Sequence, residues 1–254
     1  MKDLPRSGAF PPASQPWTVR RPAPAPSRVA APVPFDTRYS FTWAGPDGMV
    51  EERARMGPSL AIFTDAFAAL GRGALIQTPN GPVAVEDVLP GDRIVTDRGA
   101  LPLRWKGSRV IAPQHRNVGL FRIAAEAFGP TRPSPDLLLG PAARIVSRRT
   151  RLQSLIGAEA ALMPVAALED SETVIRIRPV SAMQVFHLGF DGHVTFTANG
   201  VELESVHPGP RTGLLAPEIA ALYLSMFPHI EGFDDFGDLV LPRLQGEALK
   251  QAAI

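Results

Sequence analysis

The 254 residues carry 26 Lys and Arg against 25 Asp and Glu, and 45% are apolar, enough to fill the core of one large or two modest domains. A net charge of +1 creates no single-sign field that would mark nucleic acid or an anionic membrane as the obligate partner. The absence of cysteine excludes disulfides, thiolate metal ligands and iron–sulfur clusters, and no apolar run has the length of a signal-peptide core or a membrane span. The expected location is therefore the cytoplasm, or outside the cell by a route that needs no signal peptide.

Residues 1–34 hold nine of the 27 prolines, in runs such as Pro22-Ala23-Pro24-Ala25-Pro26, and carry Lys2, Arg6, Arg20, Arg21 and Arg28 against Asp3. Such a segment buries too little apolar surface to offset its ordering entropy, so 1–36 is expected to be a disordered or polyproline II tail. Residues 37–43 alternate, turn at Gly45-Pro46-Asp47-Gly48 and alternate again over 49–52, which predicts a β-hairpin with a linker to residue 60. Phe63, Ala66, Phe67 and Leu70 recur at helical spacing, so a short helix is expected over 62–70, ended by Gly71-Arg72-Gly73.

From 74 to 204 short β-branched runs are separated by Asn80-Gly81, Pro90-Gly91-Asp92, Asp97-Arg98-Gly99, Asp191-Gly192 and Asn199-Gly200. These dipeptides and tripeptides supply the positive φ or preset bend that links strands, and they predict an all-β domain over 61–209. The segment 123–128 is an exception. So is the Ala- and Leu-rich stretch 152–168, where a short helix is expected. Asp87 and Asp92 read as turn caps, Trp43 and Trp105 as packing residues, and Arg148, Arg149 and Arg151 as a solvated basic loop. The region 210–254 is expected to be a helix over 217–227, opened by Pro217 and docked on the β domain, followed by a frayed tail.

Three stretches resemble the Hint domain, the Hedgehog/intein self-processing module. Ala69-Leu70-Gly71-Arg72-Gly73-Ala74-Leu75-Ile76-Gln77-Thr78-Pro79, continuing through Val83-Ala84-Val85-Glu86-Asp87-Val88-Leu89-Pro90-Gly91-Asp92-Arg93-Ile94-Val95, is similar to the opening block. Its physical content is alternating Val83, Val85 and Val88 facing inward, then a Gly91-Asp92 turn into a strand over 93–96. Asp136-Leu137-Leu138-Leu139-Gly140-Pro141-Ala142-Ala143-Arg144-Ile145-Val146 is similar to the internal block. The segment 185–200, ending in Asn199-Gly200, is similar to the closing block. The order and spacing match the bacterial branch, and the resemblance implies a compact Hint-type β fold with short flanking helices and a C-terminal helix.

The resemblance also implies a cysteine at Ala69, a histidine at Ala143 and a His-Asn pair at Glu204-Ser205. A methyl group cannot attack a carbonyl, nothing at 143 can protonate a leaving amine, and Ser205 has no carboxamide to cyclise. Val206 offers no downstream nucleophile either. Loss of a covalent nucleophile typically lowers rate on the order of a millionfold, about 8 kcal/mol of transition-state stabilisation.

The remnant candidates are His193, at the family's closing-block histidine, with His187, Asp191, Asn199 and Ser205. Two functions follow. One is a non-catalytic scaffold or interaction module whose protein partners meet the Pro-rich tail or the C-terminal helix. The other is a residual self-cleaving or hydrolytic enzyme that pairs Ser205, Thr195 or Thr197 with His193. No cofactor is expected. A zinc site of His187, His193 and His207 has no diagnostic spacing, and no metal is expected.

Overall fold

A computed structural model of the protein describes residues 34–113, 118–210 and 215–253. The Pro-rich tail expected at 1–36 therefore lies, through residue 33, outside the described residues.

The chain enters a first sheet through the hairpin of β1 (Thr37–Ala44) and β2 (Val50–Gly57), with Thr37 opposite Gly57 and Ala44 opposite Val50. The second arm runs past the expected Glu52 to Gly57. The hairpin is part of the main sheet, because β1 pairs on its other side with β8 (Trp105–Ile111), Trp43 opposite Trp105. Beyond β8 come β14 (Met183–Gly189), β3 (Leu70–Gly71), β10 (Leu137–Leu139), β9 (Leu120–Ile123) and β13 (Val174–Ile177). Strand β2 is left at one edge.

The second sheet runs through β12 (Ala161–Pro164), β11 (Arg144–Ser147), β16 (Val201–Glu204), β15 (Thr195–Ala198), β4 (Leu75–Thr78) and β5 (Gly81–Ala84). A side hairpin of β6 (Arg93–Thr96) and β7 (Gly99–Pro102) joins it at β15. The Asn199-Gly200 turn between β15 and β16 has both residues at positive φ, +50° and +80°, as a type I′ hairpin turn requires. A side chain at 200 would also collide with the Thr131 carbonyl, 2.5 Å from where its Cβ would stand.

One core cluster, including Leu70, Ile76, Val85, Val88, Phe121, Phe186, Phe196 and Leu203, draws on both sheets. An aromatic cluster of Tyr39, Phe41, Phe63, Phe67, Trp105, Tyr223 and Phe227 ties the hairpin to two helices, α1 (Ala61–Asp65) and α3 (Pro217–Leu224). Trp105 stacks on Phe227 at 4.5 Å and donates its indole N–H to Met226 O at 2.8 Å. Trp43 and Trp105 are packing residues, as expected.

Two expectations are corrected, and the short helix expected within 152–168 is present but confined to its first five residues. The helix expected over 62–70 stops at Asp65, because Ala69 must extend to donate its N–H to Phe186 O at 2.9 Å and Leu70 joins β3. The stretch 152–168 is α2 (Leu152–Ile156), then β12, then a single 3₁₀ turn at Val165–Leu168. Left-handed Gly157 ends α2, and pairing with β11 overrides helical propensity beyond it.

The tail expected to fray forms α4 (Gly246–Ala253), with Ala252 buried against Leu152, Met163 and Leu244. The basic loop supplies its anchors. Arg149 donates to Ala252 O at 2.6 Å and Arg151 to Gln251 O at 3.0 Å, placing two cations at the negative end of the helix. Arg148 forms a two-pronged pair with Glu202 at 2.8 and 2.7 Å. No helix among the described residues is long and apolar enough to cross a membrane.

Candidate functional site

Strand pairing draws the three degenerate positions together. Ala69 gives its carbonyl to Gly140 N at 2.9 Å and Ala68 gives its own to Ala142 N at 3.0 Å, so the start of the first block lies against residues 140–142. Gly140 is required there, since a Cβ would fall 2.1 Å from Ala68 O. Antiparallel pairing sets Ile145 opposite Leu203, and Val206 donates to Leu188 O at 2.8 Å, bringing Ser205 to the same end of β14. Both Ala69 and Ala143 are buried among core side chains.

The chemistry at this junction is organised by Glu204, a carboxylate only 3% exposed. Its Oε1 accepts from Arg243 Nε at 2.7 Å and from His193 Nε2 at 3.1 Å, and Oε2 accepts from Arg144 Nη1 at 3.3 Å. Burial by itself would raise the Glu204 pKa. The His193 hydrogen bond and the charges of Arg243 and Arg144 outweigh it and hold the group at about 2.

His193 is fully engaged. Its Nδ1 accepts the Val240 N–H at 3.0 Å, so the ring proton sits on Nε2 and points at Glu204. Ser205 Oγ accepts the Val194 N–H at 3.0 Å, and no hydrogen bond joins it to an imidazole among the described residues. His187 lies between the Asp65 carbonyl, 3.3 Å from Nδ1, and the Glu204 carbonyl, 3.4 Å from Nε2. Burial lowers its pKa to about 4. His207 Nε2 donates to Gly237 O while Nδ1 accepts from Gly209 N, both at 2.9 Å, and burial likewise lowers its pKa to about 4.

Two remnant candidates stand elsewhere. Asp191 is on an exposed turn and pairs with Arg104 at 2.8 Å, away from the two histidines it separates in the sequence. Asn199 is a structural clamp. Its Oδ1 accepts from Leu75 N at 2.7 Å and its Nδ2 donates to Pro135 O at 3.1 Å. Among the described residues no group of three or more His, Asp or Glu is arranged to hold a metal, and His187, His193 and His207 spend their ring nitrogens on protein partners.

Beside Glu204 opens a cavity of about 380 Å³, with Asp65, Arg144, His187, His207, Tyr223 and Arg243 on its wall. Burial raises the Asp65 pKa even though the residue opens onto the cavity, with Arg144 and Arg109 opposing. The Tyr223 hydroxyl is fully buried and has no hydrogen-bond partner among the described residues. Sequence reading treats Glu204 only as the residue standing where a histidine is missing. It gives no role to Asp65, four residues before the opening block, or to Tyr223 and Arg243, which stand beyond the closing block. No local signal existed, since alternation over β16 sets Glu204 on the side of the partly exposed Glu202 and opposite the buried Val201 and Leu203.

Two interlocked antiparallel sheets, with the opening, internal and closing blocks meeting at one junction, define a Hint-type β fold. The family model for the Hint domain matches residues 68–210, more than half of the chain, and the protein belongs to that family. Among solved structures it is similar to the gp41-1 intein, at 14% identity over 55% of this chain and 98% of that one, with a TM-score of 0.33. It is also similar to a mutant of an Ssp DnaB mini-intein variant, at 14% identity over 54% and 90% of the two chains, with a TM-score of 0.30. The search of curated proteins found no match.

Proposed function

We propose that this Hint-domain protein does not process itself and acts as a non-catalytic scaffold or interaction module. The observation that carries the reading is the commitment of His193. One ring nitrogen accepts a backbone N–H, the other donates to a buried carboxylate, and the neighbouring Ser205 hydroxyl is bonded to Val194. An imidazole held in this way has no hydroxyl to deprotonate and no leaving group to protonate. Alanine at 69 and 143 removes the two remaining chemical groups that the family's reaction uses. The cavity beside Glu204 is the concave surface such a module offers to a partner.

Intact mass spectrometry of the purified chain over several days, with and without thiol or hydroxylamine, tests this. A single species of 27.3 kDa is expected throughout. A discrete break beside Ala69 or Ser205, abolished by His193→Ala, would establish the residual self-cleaving enzyme in its place.

A further inference from the structure

Strand β2 is the edge of the first sheet, and each of its residues from Val50 to Met56 is exposed. The direction of its backbone groups follows from two bonds. Ala44 N donates to Arg104 O, so even-numbered residues of β1 face β8 and odd-numbered ones face β2; Gly45 N donates to Met49 O across the hairpin in the same phase. The inner side of β2 is therefore used by Glu51, Arg53, Arg55 and Gly57. Val50, Glu52, Ala54 and Met56 turn their N–H and C=O outward.

We propose that β2 pairs antiparallel with β2 of a second copy of this chain about a two-fold axis at Arg53, joining the two first sheets edge to edge. Outward residues must pair with outward residues, which leaves few registers. With the axis at Arg53, Val50 meets Met56 and Glu52 meets Ala54 as hydrogen-bonded pairs, and Glu51 meets Arg55 on the opposite face, each contact made twice. An axis at Glu52 sets two carboxylates face to face and shortens the overlap. An axis at Ala54 sets Arg53 against Arg55 twice.

Charges protect a sheet edge when self-pairing brings like against like. Here the two-fold brings opposite charges and two apolar pairs together. The one like-charge pair is relieved because the Arg53 guanidinium lies over its own Trp43 ring, 5.4 Å from the centroid. A single strand pair buries little area, so the dimer is expected to be weak, with a Kd on the order of micromolar.

Sedimentation velocity of the full chain over a concentration series from about 1 to 200 μM, bracketing that Kd, reads the equilibrium. Wild type is expected to shift from monomer to dimer. Ala54→Pro removes an outward N–H without touching the ladder to β1 and is expected to leave a folded monomer. Glu51→Arg and Arg55→Glu should each weaken the dimer about tenfold by setting like charges opposite, and the double exchange should restore it.

Because the chain has no other cysteine, Arg53→Cys places one thiol on the axis at a closely spaced pair, where mild oxidation should cross-link the dimer. Cross-linking by Glu52→Cys and not Arg53→Cys would overturn the register. A wild type that stays monomeric at every concentration, its edge free or covered by its own N-terminal arm, would overturn the proposal, as would a dimer unaffected by Ala54→Pro.

Discussion

Glu204 shows what one buried charge demands of its surroundings. Removed from water, it is stable only because Arg243, His193 and Arg144 converge on its two oxygens. Glu204→Ala is expected to cost about 3–5 kcal/mol in urea unfolding, because it leaves Arg243 buried without a counter-charge. Glu204→Gln, which keeps an acceptor for His193, should cost less. Asn199 was legible as a turn residue from Asn199-Gly200, yet its clamp on Leu75, 124 residues away, was not. Asn199→Ala should cost about 1–3 kcal/mol by the same measurement, since it removes the acceptor of the half-buried Leu75 N–H and the donor to the Pro135 carbonyl. Lys106 is comparable. It is buried, and its ammonium donates to Val85 O at 3.2 Å, Glu86 O at 2.8 Å and Val88 O, pinning the block that carried the family resemblance. Nothing local in the sequence around Lys106 points to those carbonyls.

At the scale of elements, local chemistry was legible wherever it was decisive. The first hairpin, the strand after Gly91-Asp92 and the opening of α3 at Pro217 all follow from turn residues and periodicity acting within a few positions. Periodicity misled where a distant strand competed. The Phe63–Phe67 spacing is helical, but the chain beyond Asp65 gains more by hydrogen-bonding β14 and β10 than by another turn of helix. Helix α4 is the converse case, a short polar helix stabilised by packing and by the arginine loop. Removal of residues 246–254 should expose Leu152, Met163 and Leu244 and lower stability by about 3 kcal/mol, the burial energy of one or two apolar side chains. Denaturant midpoints of the full and shortened chains check this. Equal midpoints would return α4 to the frayed tail expected from sequence.

For the whole molecule, the buried histidines set the response to acid. His187, His207 and His229 are each lowered by burial from 6.5 to about 4. As pH falls through 6.5 the unfolded chain takes up protons that the folded chain refuses, so their contribution to stability is complete above 6.5 and declines until about 4. Glu204 acts in the same direction at lower pH. Its folded value of about 2 lies below the usual 4.5, so its contribution is lost between those limits. The combined loss between pH 7 and 4 is expected to reach a few kcal/mol, read as a Tm that is flat above neutrality and falls through the histidine range. His187→Gln should flatten that fall, and a Tm unchanged from pH 7 to 4 would contradict the assignment. The sequence by itself determined the β class, the turns and the missing nucleophile, because turn geometry, side-chain alternation and the identity of a reacting atom are local properties of the chain. Only the tertiary structure decided that Glu204, Arg144 and Arg243 share one buried junction, that Asp191 stands apart from it and that β2 faces outward, because register between distant strands selects those neighbours and no short stretch of sequence encodes register.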